Sequence, residues 1–208
     1  MNEEVTRFWW IRHAPVPDHS DRIYGNTDLD CDTGDRASFE ALAARLPRDA
    51  IWVVSHLRRT SQTAAALGRA GYPLPELVVD RDLGEQDFGE LHGLLHSDNT
   101  ARRTDPFVGF WDLPPHERAP GGESLCDVRE RVERAIDRLA DEHSGRDLVC
   151  VAHGGPIRCA LAIALGIDVS QAVVFSVRNL SLTRIESLPA APPGAPRWRV
   201  RGVGELCG

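Results

Sequence analysis

Histidine and arginine recur in this chain at the points where short apolar runs stop. Arg12-His13-Ala14-Pro15 follows RFWWIR, Ser55-His56-Leu57-Arg58-Arg59 follows IWVV, and His153-Gly154-Gly155-Pro156 follows LVCVA. Glu85 comes a few residues after the run Leu77–Val79, within Leu83-Gly84-Glu85-Gln86-Asp87-Phe88-Gly89. Each has a plain structural explanation when taken alone. A histidine after a strand is most often a hydrogen-bonded loop residue, an arginine a solvated charge, and Gly-Gly a tight turn. The joint pattern says more. Arginines brought together at one place repel unless an anion lies between them, and the guanidinium fork matches phosphate oxygens. The chemistry this set suits is the handling of a phosphate-like anion with two imidazoles and a carboxyl group beside it.

The elements that must position these residues can be read from hydrophobic spacing. Arg7–Arg12, Ile51–Ser55, Leu77–Val79 and Leu148–Ala152 are short, apolar and rich in β-branched or aromatic residues, and read as strands. Val173–Val177, Ser181–Ile185 and Trp198–Val203 read as late strands. Ala37–Leu46, Thr60–Ala70 and Pro156–Leu165 read as helices. The clearest helix is Ser124–His143, where Leu125, Val128, Val132, Ile136 and Leu139 make one apolar stripe and Gly145 follows as a stop. Strands alternating with helices predict a three-layer α/β/α fold with a mostly parallel central sheet. The late strands without an intervening helix predict an antiparallel edge, hence a mixed sheet. In such sheets ligands bind outside the carboxyl ends of the strands, where the histidines and arginines stand. A proline-rich stretch, Pro189 to Pro196, reads as a loop, and the simplest organisation is one domain over 1–208.

Composition narrows the chemistry. All 24 basic residues are arginine, so no lysine Schiff base and no Walker A lysine can form. A net charge of -7 makes general nucleic-acid binding a poor fit. The acidic start and the absence of a long apolar run predict a cytoplasmic protein with no signal peptide and no membrane partner. Five cysteines without a C-x-x-C pair read as free thiols, neither a disulfide framework nor a zinc site.

Five blocks resemble the histidine phosphatase superfamily, also called phosphoglycerate mutase-like. Arg12-His13-Ala14 resembles its R-H-G signature. Ser55-His56-Leu57-Arg58-Arg59-Thr60-Ser61-Gln62-Thr63-Ala64 is similar to S-P-L-x-R-A-x-Q-T-A. Leu83 to Gly93 resembles L-x-E-x-D-F-G-x-x-x-G, Pro120-Gly121-Gly122-Glu123-Ser124-Leu125 resembles P-G-G-E-S-L, and Val151-Ala152-His153-Gly154-Gly155 resembles V-x-H-G-G. The blocks occur in family order over residues 7 to 165. The resemblance implies a nucleophilic His13 that carries a phosphoryl group transiently. It implies Arg12 and Arg59 as a phosphate clamp, His153 as a second phosphoryl-binding histidine, and Glu85 as general acid. Arg58 is the adjacent alternative, but the family's spacing picks Arg59. Weaker carry-overs are Tyr24, Gly25, Asn26 and Gly154 as substrate-binding positions. The physical case agrees: neighbouring arginines lower the pKa of His13 and keep it neutral, and a cage of Arg and His supplies charge stabilisation without metal or other cofactor. A Glu85 that both gives and takes a proton needs a pKa raised by burial or by the dianionic substrate.

Three departures stand out. Ala14 replaces the family's Gly, which tests whether that backbone needs positive φ. The chain after His13 lacks the E-[ST]-x-x-N run of the mutase branch. Asp30-Cys31-Asp32-Thr33-Gly34 lacks the family's L-T, leaving Asp32 or Thr33 to cap the next helix. With the block Asp87 to Gly93 and the opening R-H-A-P-V, the resemblance favours the phosphatase branch near α-ribazole phosphatase. The expected activity is a metal-independent phosphomonoesterase acting on a small phosphorylated metabolite, as monomer or homodimer. A 2,3-bisphosphoglycerate-dependent mutase is the alternative. Further back stand a metal-dependent hydrolase built on His13, His56 and His153, and a non-catalytic phosphate-binding protein. Leu94 to Arg118, with Phe107, Phe110 and Trp111, reads either as a specificity segment or as a lid packed on the core.

Overall fold

The computed structural model describes residues 5–188 and 197–207. Pro189 to Pro196 therefore lies outside the described residues. In chain order the elements are β1 (Thr6–Arg12), α1 (Arg36–Ala43), β2 (Ile51–Val54), α2 (Arg58–Arg69) and β3 (Leu77–Val79). They continue as α3 (His96–Ala101), α4 (Leu125–Glu142), β4 (Asp147–Ala152), α5 (Gly154–Leu165), α6 (Val169–Ala172), β5 (Leu182–Ser187) and β6 (Trp198–Glu205). One six-stranded sheet runs in the order β3-β2-β4-β1-β5-β6. The first four strands of that order are mutually parallel, and β5 and β6 are antiparallel. The fold is α/β with a mixed, mostly parallel sheet.

Strand alternation divides the interior into two cores. In β4, Leu148, Cys150 and Ala152 face the layer of α4 and α5, where they meet Val132, Ile136, Ile157 and Leu161. Val149 and Val151 face the other way, toward Phe39 and Leu42 of α1 and Ala64 and Leu67 of α2. A central parallel strand buried on both faces reads as an unbroken apolar run, which is why LVCVA is so plain in the sequence. Truncating a residue such as the fully buried Leu148 to Ala should cost about 2–5 kcal/mol.

The caps explain where the helices stop. Ser124 and Asp127 form a capping box at the start of α4, and His143 is its C-cap, so both ends of the expected span are caps. Asp35, not Asp32 or Thr33, caps α1 by accepting from the Ser38 N–H, while Asp32 turns its carboxylate to the Gly34 N–H. Val173–Val177 is not a strand. The Asp168–Gln171 capping box draws the preceding residues into α6. The carbonyls of Phe175 and Val177 then accept from Arg158 and Arg12 rather than from a sheet ladder. Ala14 does not have a positive φ, and its methyl is buried in the α1–α2 core.

Candidate active site

Register places the two histidines side by side. Arg12 of β1 pairs with Ala152 of β4, so His13 and His153 leave adjacent parallel strands together. Their ring centroids lie 5.0 Å apart. The backbone here is over-determined. His13 N–H donates to the Ala152 carbonyl, the Asn179 side chain donates to the His13 carbonyl, and Ala14 N–H donates to Thr63 Oγ1.

Each imidazole has its tautomer set by a neighbour. His13 Nδ1 lies 2.7 Å from the Ala14 carbonyl, which can only accept, so Nδ1 carries the proton and Nε2 keeps its lone pair. Arg59 Nε donates to His153 Nδ1 at 3.2 Å, and His153 Nε2 then donates to Ser55 Oγ at 2.7 Å. Burial, followed by the charges of Arg59 and Arg12, holds the pKa of His13 well below the ordinary histidine value. His153 is depressed for the same reasons, burial first and then Arg59.

The two adjacent arginines of α2 part company. Arg58 is exposed and pairs with Asp28 and Asp30. Arg59 is fully buried, donates to the carbonyls of Gly25 and Thr27, and lies over the Tyr24 ring at 5.3 Å. Burial is the main cause of its lowered pKa. Gly25 sits at φ +40, where a Cβ would strike the Gln86 carbonyl at 2.5 Å. Arg12 donates to the Val177 carbonyl, and its Nε has no partner among the described residues.

Glu85 reaches the same place from the loop after β3. Its carboxylate accepts the Gly155 N–H at 3.0 Å, at the N-terminus of α5, where the helix dipole favours negative charge. Arg131 braces the loop, donating to the carbonyls of Asp82, Gly84 and Glu85 while gripping the Glu123 carboxylate. Glycines 154 and 155 leave room at this junction. A Cβ on Gly155 would lie 2.4 Å from Glu85 Oε1. One on Gly154 would lie 3.0 Å from Arg158 Nη1, 3.7 Å from Glu85 Oε2 and 3.8 Å from Arg12 Cζ.

A cleft of about 300 Å³ opens over this junction, lined in part by Arg12, Tyr24, Gly25, Glu85 and Gly154. His13, Arg59 and His153 lie behind them, essentially buried. Asn26 is not among the cleft-lining residues. His56 is exposed and its ring lies against Gly84, so it does not join the other two histidines. No group of three or more His, Cys, Asp or Glu among the described residues is arranged to hold a metal ion. Part of the segment Leu94 to Arg118 packs on the core and part of it borders the cleft. Phe107 and Trp111 pack on the core, while exposed Phe110 lines the cleft with Trp111.

A family model described as "Histidine phosphatase superfamily (branch 1)" matches residues 8–192. The chain belongs to that family. Among relatives of this branch, phosphoglycerate mutase-like protein 4 of Arabidopsis thaliana is 30% identical over 155 residues, covering 71% of this chain and 66% of that protein. A glucosyl-3-phosphoglycerate phosphatase of Mycolicibacterium vanbaalenii is 32% identical, covering 94% of this chain and 93% of its own. The native structure of a mycobacterial glucosyl-3-phosphoglycerate phosphatase superposes with a TM-score of 0.81 at 26% identity, covering 96% and 99% of the two chains. The chain thus spans less than two thirds of the plant relative and nearly all of the mycobacterial one.

Four residues of this histidine phosphatase site were not singled out from the sequence: Ser55, Asn179, Arg131 and Arg158. Ser55 opens the Ser55 to Ala64 block, whose arginines draw the eye first. Arg158 carried a readable signal, as the one charged side chain in the otherwise apolar helix GGPIRCALAIAL. Asn179 and Arg131 act through backbone carbonyls of distant segments, which leaves no mark in local sequence.

Proposed function

We propose that this protein is a metal-independent phosphomonoesterase that works through a phosphohistidine on His13. The observation that carries the reading is the His13 Nδ1 contact to the Ala14 carbonyl, which leaves Nε2 unprotonated in a cationic setting. Arg12 and Arg59 stabilise the phosphoryl oxygens, and His153, its ring nitrogens taken by Arg59 and Ser55, holds the Arg59 guanidinium in place. Nε2 attacks phosphorus, forming the N–P bond as the bond from phosphorus to the alcohol oxygen breaks. A protonated Glu85 gives its proton to that leaving oxygen. The resulting carboxylate takes a proton from water, whose oxygen attacks phosphorus and breaks the N–P bond. Inorganic phosphate leaves and His13 is restored.

The chain's relatives include proteins named for phosphatase and for mutase-like activity. Incubation with 3-phosphoglycerate separates the two. Release of inorganic phosphate, unaffected by chelator and blocked by vanadate, is the expected result. Clean conversion to 2-phosphoglycerate would overturn the phosphatase reading. The covalent step is checked by acid-labile phosphate labelling, present in the native enzyme and absent from His13→Ala. Labelling that survives this substitution removes His13 from the nucleophile role.

A further inference from the structure

The peptide that joins His13 to Ala14 is held by two side chains. β1 ends at Arg12, so the sheet ladder has run out at the carbonyl of the nucleophile. That oxygen accepts from Asn179 Nδ2 at 2.8 Å, and the N–H at the other end of the peptide donates to Thr63 Oγ1 at 2.9 Å. The imidazole rides on this peptide. Its Nδ1 reaches forward to the Ala14 carbonyl, so a tilt of the peptide moves Nε2.

Asn179 comes from a corner that is costly to make. Leu180 stands at φ +58, one of two non-glycine residues with positive φ among the described residues. Its Cβ makes that conformation unfavourable, where glycine or asparagine would accept it. The corner uses this shape to meet consecutive residues of the site. Asn179 takes the His13 carbonyl, Leu180 N–H donates to the Arg12 carbonyl at 2.9 Å, and the Ser181 carbonyl accepts from the Arg12 N–H at 3.3 Å. The leucine side chain packs on the core that buries Ala14, which holds the strained turn in place. An anchor between β1 and β5 is already supplied by the ladder from Thr6–Ser187 to Ile11–Leu182. Strain added beyond that ladder, beside the reactive imidazole, points to a demand on geometry.

We infer that Asn179 is a positioning residue for the nucleophile: by gripping the His13 carbonyl it sets the angle at which Nε2 meets phosphorus. This rests on the phosphatase reading and adds to it a residue outside the five motif blocks.

Two anions separate aim from binding. Inorganic phosphate needs the arginines alone. Vanadate, which adopts the five-coordinate geometry of the transferring phosphoryl group, also needs the axial nitrogen of His13. In Asn179→Ala, kcat/KM for p-nitrophenyl phosphate and for an alkyl phosphate should fall by one common factor, about 10- to 100-fold, since a misplaced nucleophile slows every leaving group. Inhibition by vanadate should weaken by a similar factor, while competitive inhibition by inorganic phosphate should change by less than about threefold. Asn179→Gln, with its amide on a longer arm, should recover part of the vanadate affinity. It serves as the second variant if the alanine form folds poorly, and in it the same divergence of the two anions is expected, only smaller. Phosphate and vanadate weakening in step with turnover, in either variant, would overturn the inference, because a loosened arginine clamp or a damaged fold acts on both. So would native turnover in Asn179→Ala. The phosphatase reading is judged apart, on the native enzyme. If that enzyme neither hydrolyses these esters nor takes acid-labile phosphate from them, the reading falls, and this inference with it.

Discussion

Arg59 donates through Nε to Nδ1 of His153 across 3.2 Å, and its other donors go to the carbonyls of Gly25 and Thr27. All three partners are neutral. A buried guanidinium satisfied only by neutral acceptors is incompletely compensated, so an anion entering the site should bind to the folded chain far better than to the unfolded one. Vanadate at about 100 times its dissociation constant should add about 2.7 kcal/mol to the stability. For a chain of this size that raises the melting temperature by roughly 5–10 °C. Arg59→Gln should lose most of the shift. The same shift in that variant would place the anion elsewhere.

The depressed histidines give stability a defined pH dependence. In the unfolded chain both His13 and His153 protonate near pH ~6.5. In the fold, burial and Arg59 keep them neutral well below that. Between those limits the unfolded state binds more protons. Their contribution is therefore full above pH ~6.5 and shrinks as acid is added, by about 1.4 kcal/mol per pH unit for each histidine. His96 has the opposite sign. Its hydrogen bond to Asp112 raises its pKa, so its contribution is full below pH ~6.5 and is lost as pH rises through the raised value. Urea melts between pH ~6.5 and ~5.5 should show the midpoint falling with acid, with a flatter dependence in a His13→Gln, His153→Gln double variant. An unchanged slope in the double variant would assign the acid sensitivity to other groups.

The same depression sets the acid limb of turnover. A neutral His13 is the reactive form, so kcat/KM should hold as pH falls below ~6.5 and decline only in more acidic solution. A half-maximal point near the ordinary histidine value would mean that substrate binding, or a loosened Arg59, cancels the effect of burial.

The layers of the fold were legible because parallel strands buried on both faces are continuous apolar runs, and α4 shows one stripe with a cap at each end. The site was legible because its residues follow those strands directly: the β1–β4 register that aligns Arg12 with Ala152 makes two sequence-distant histidines neighbours. Val173–Val177 misled because its β-branched residues suit a strand, while what decides its shape is two arginine side chains that take its carbonyls. The brace of Arg131 was hidden for a related reason. It holds three backbone oxygens, and a backbone oxygen has no identity in a sequence.

Glu85→Gln keeps the shape of the side chain and removes the transferable proton. Alkyl phosphates, whose alkoxide is a poor leaving group, should be cleaved about 10²–10⁴-fold more slowly. An activated aryl ester such as p-nitrophenyl phosphate, which leaves without help, should lose far less. Equal losses on both would mean that the carboxylate holds the site together and does not deliver a proton.

Gly155→Ala tests the placement of that carboxylate without touching it. The added methyl would stand 2.4 Å from Glu85 Oε1, closer than carbon and oxygen can approach, and the carboxylate is held there by the Gly155 N–H itself. Either Glu85 swings away or the start of α5 shifts. Gly155 sits in a helix, where alanine is the better former, so the backbone has no reason of its own to resist the change. The variant should therefore fold, bind vanadate with nearly native affinity, and reproduce the leaving-group pattern of Glu85→Gln. If it instead lost vanadate binding in step with turnover, the second glycine would be serving the phosphate pocket and not the acid.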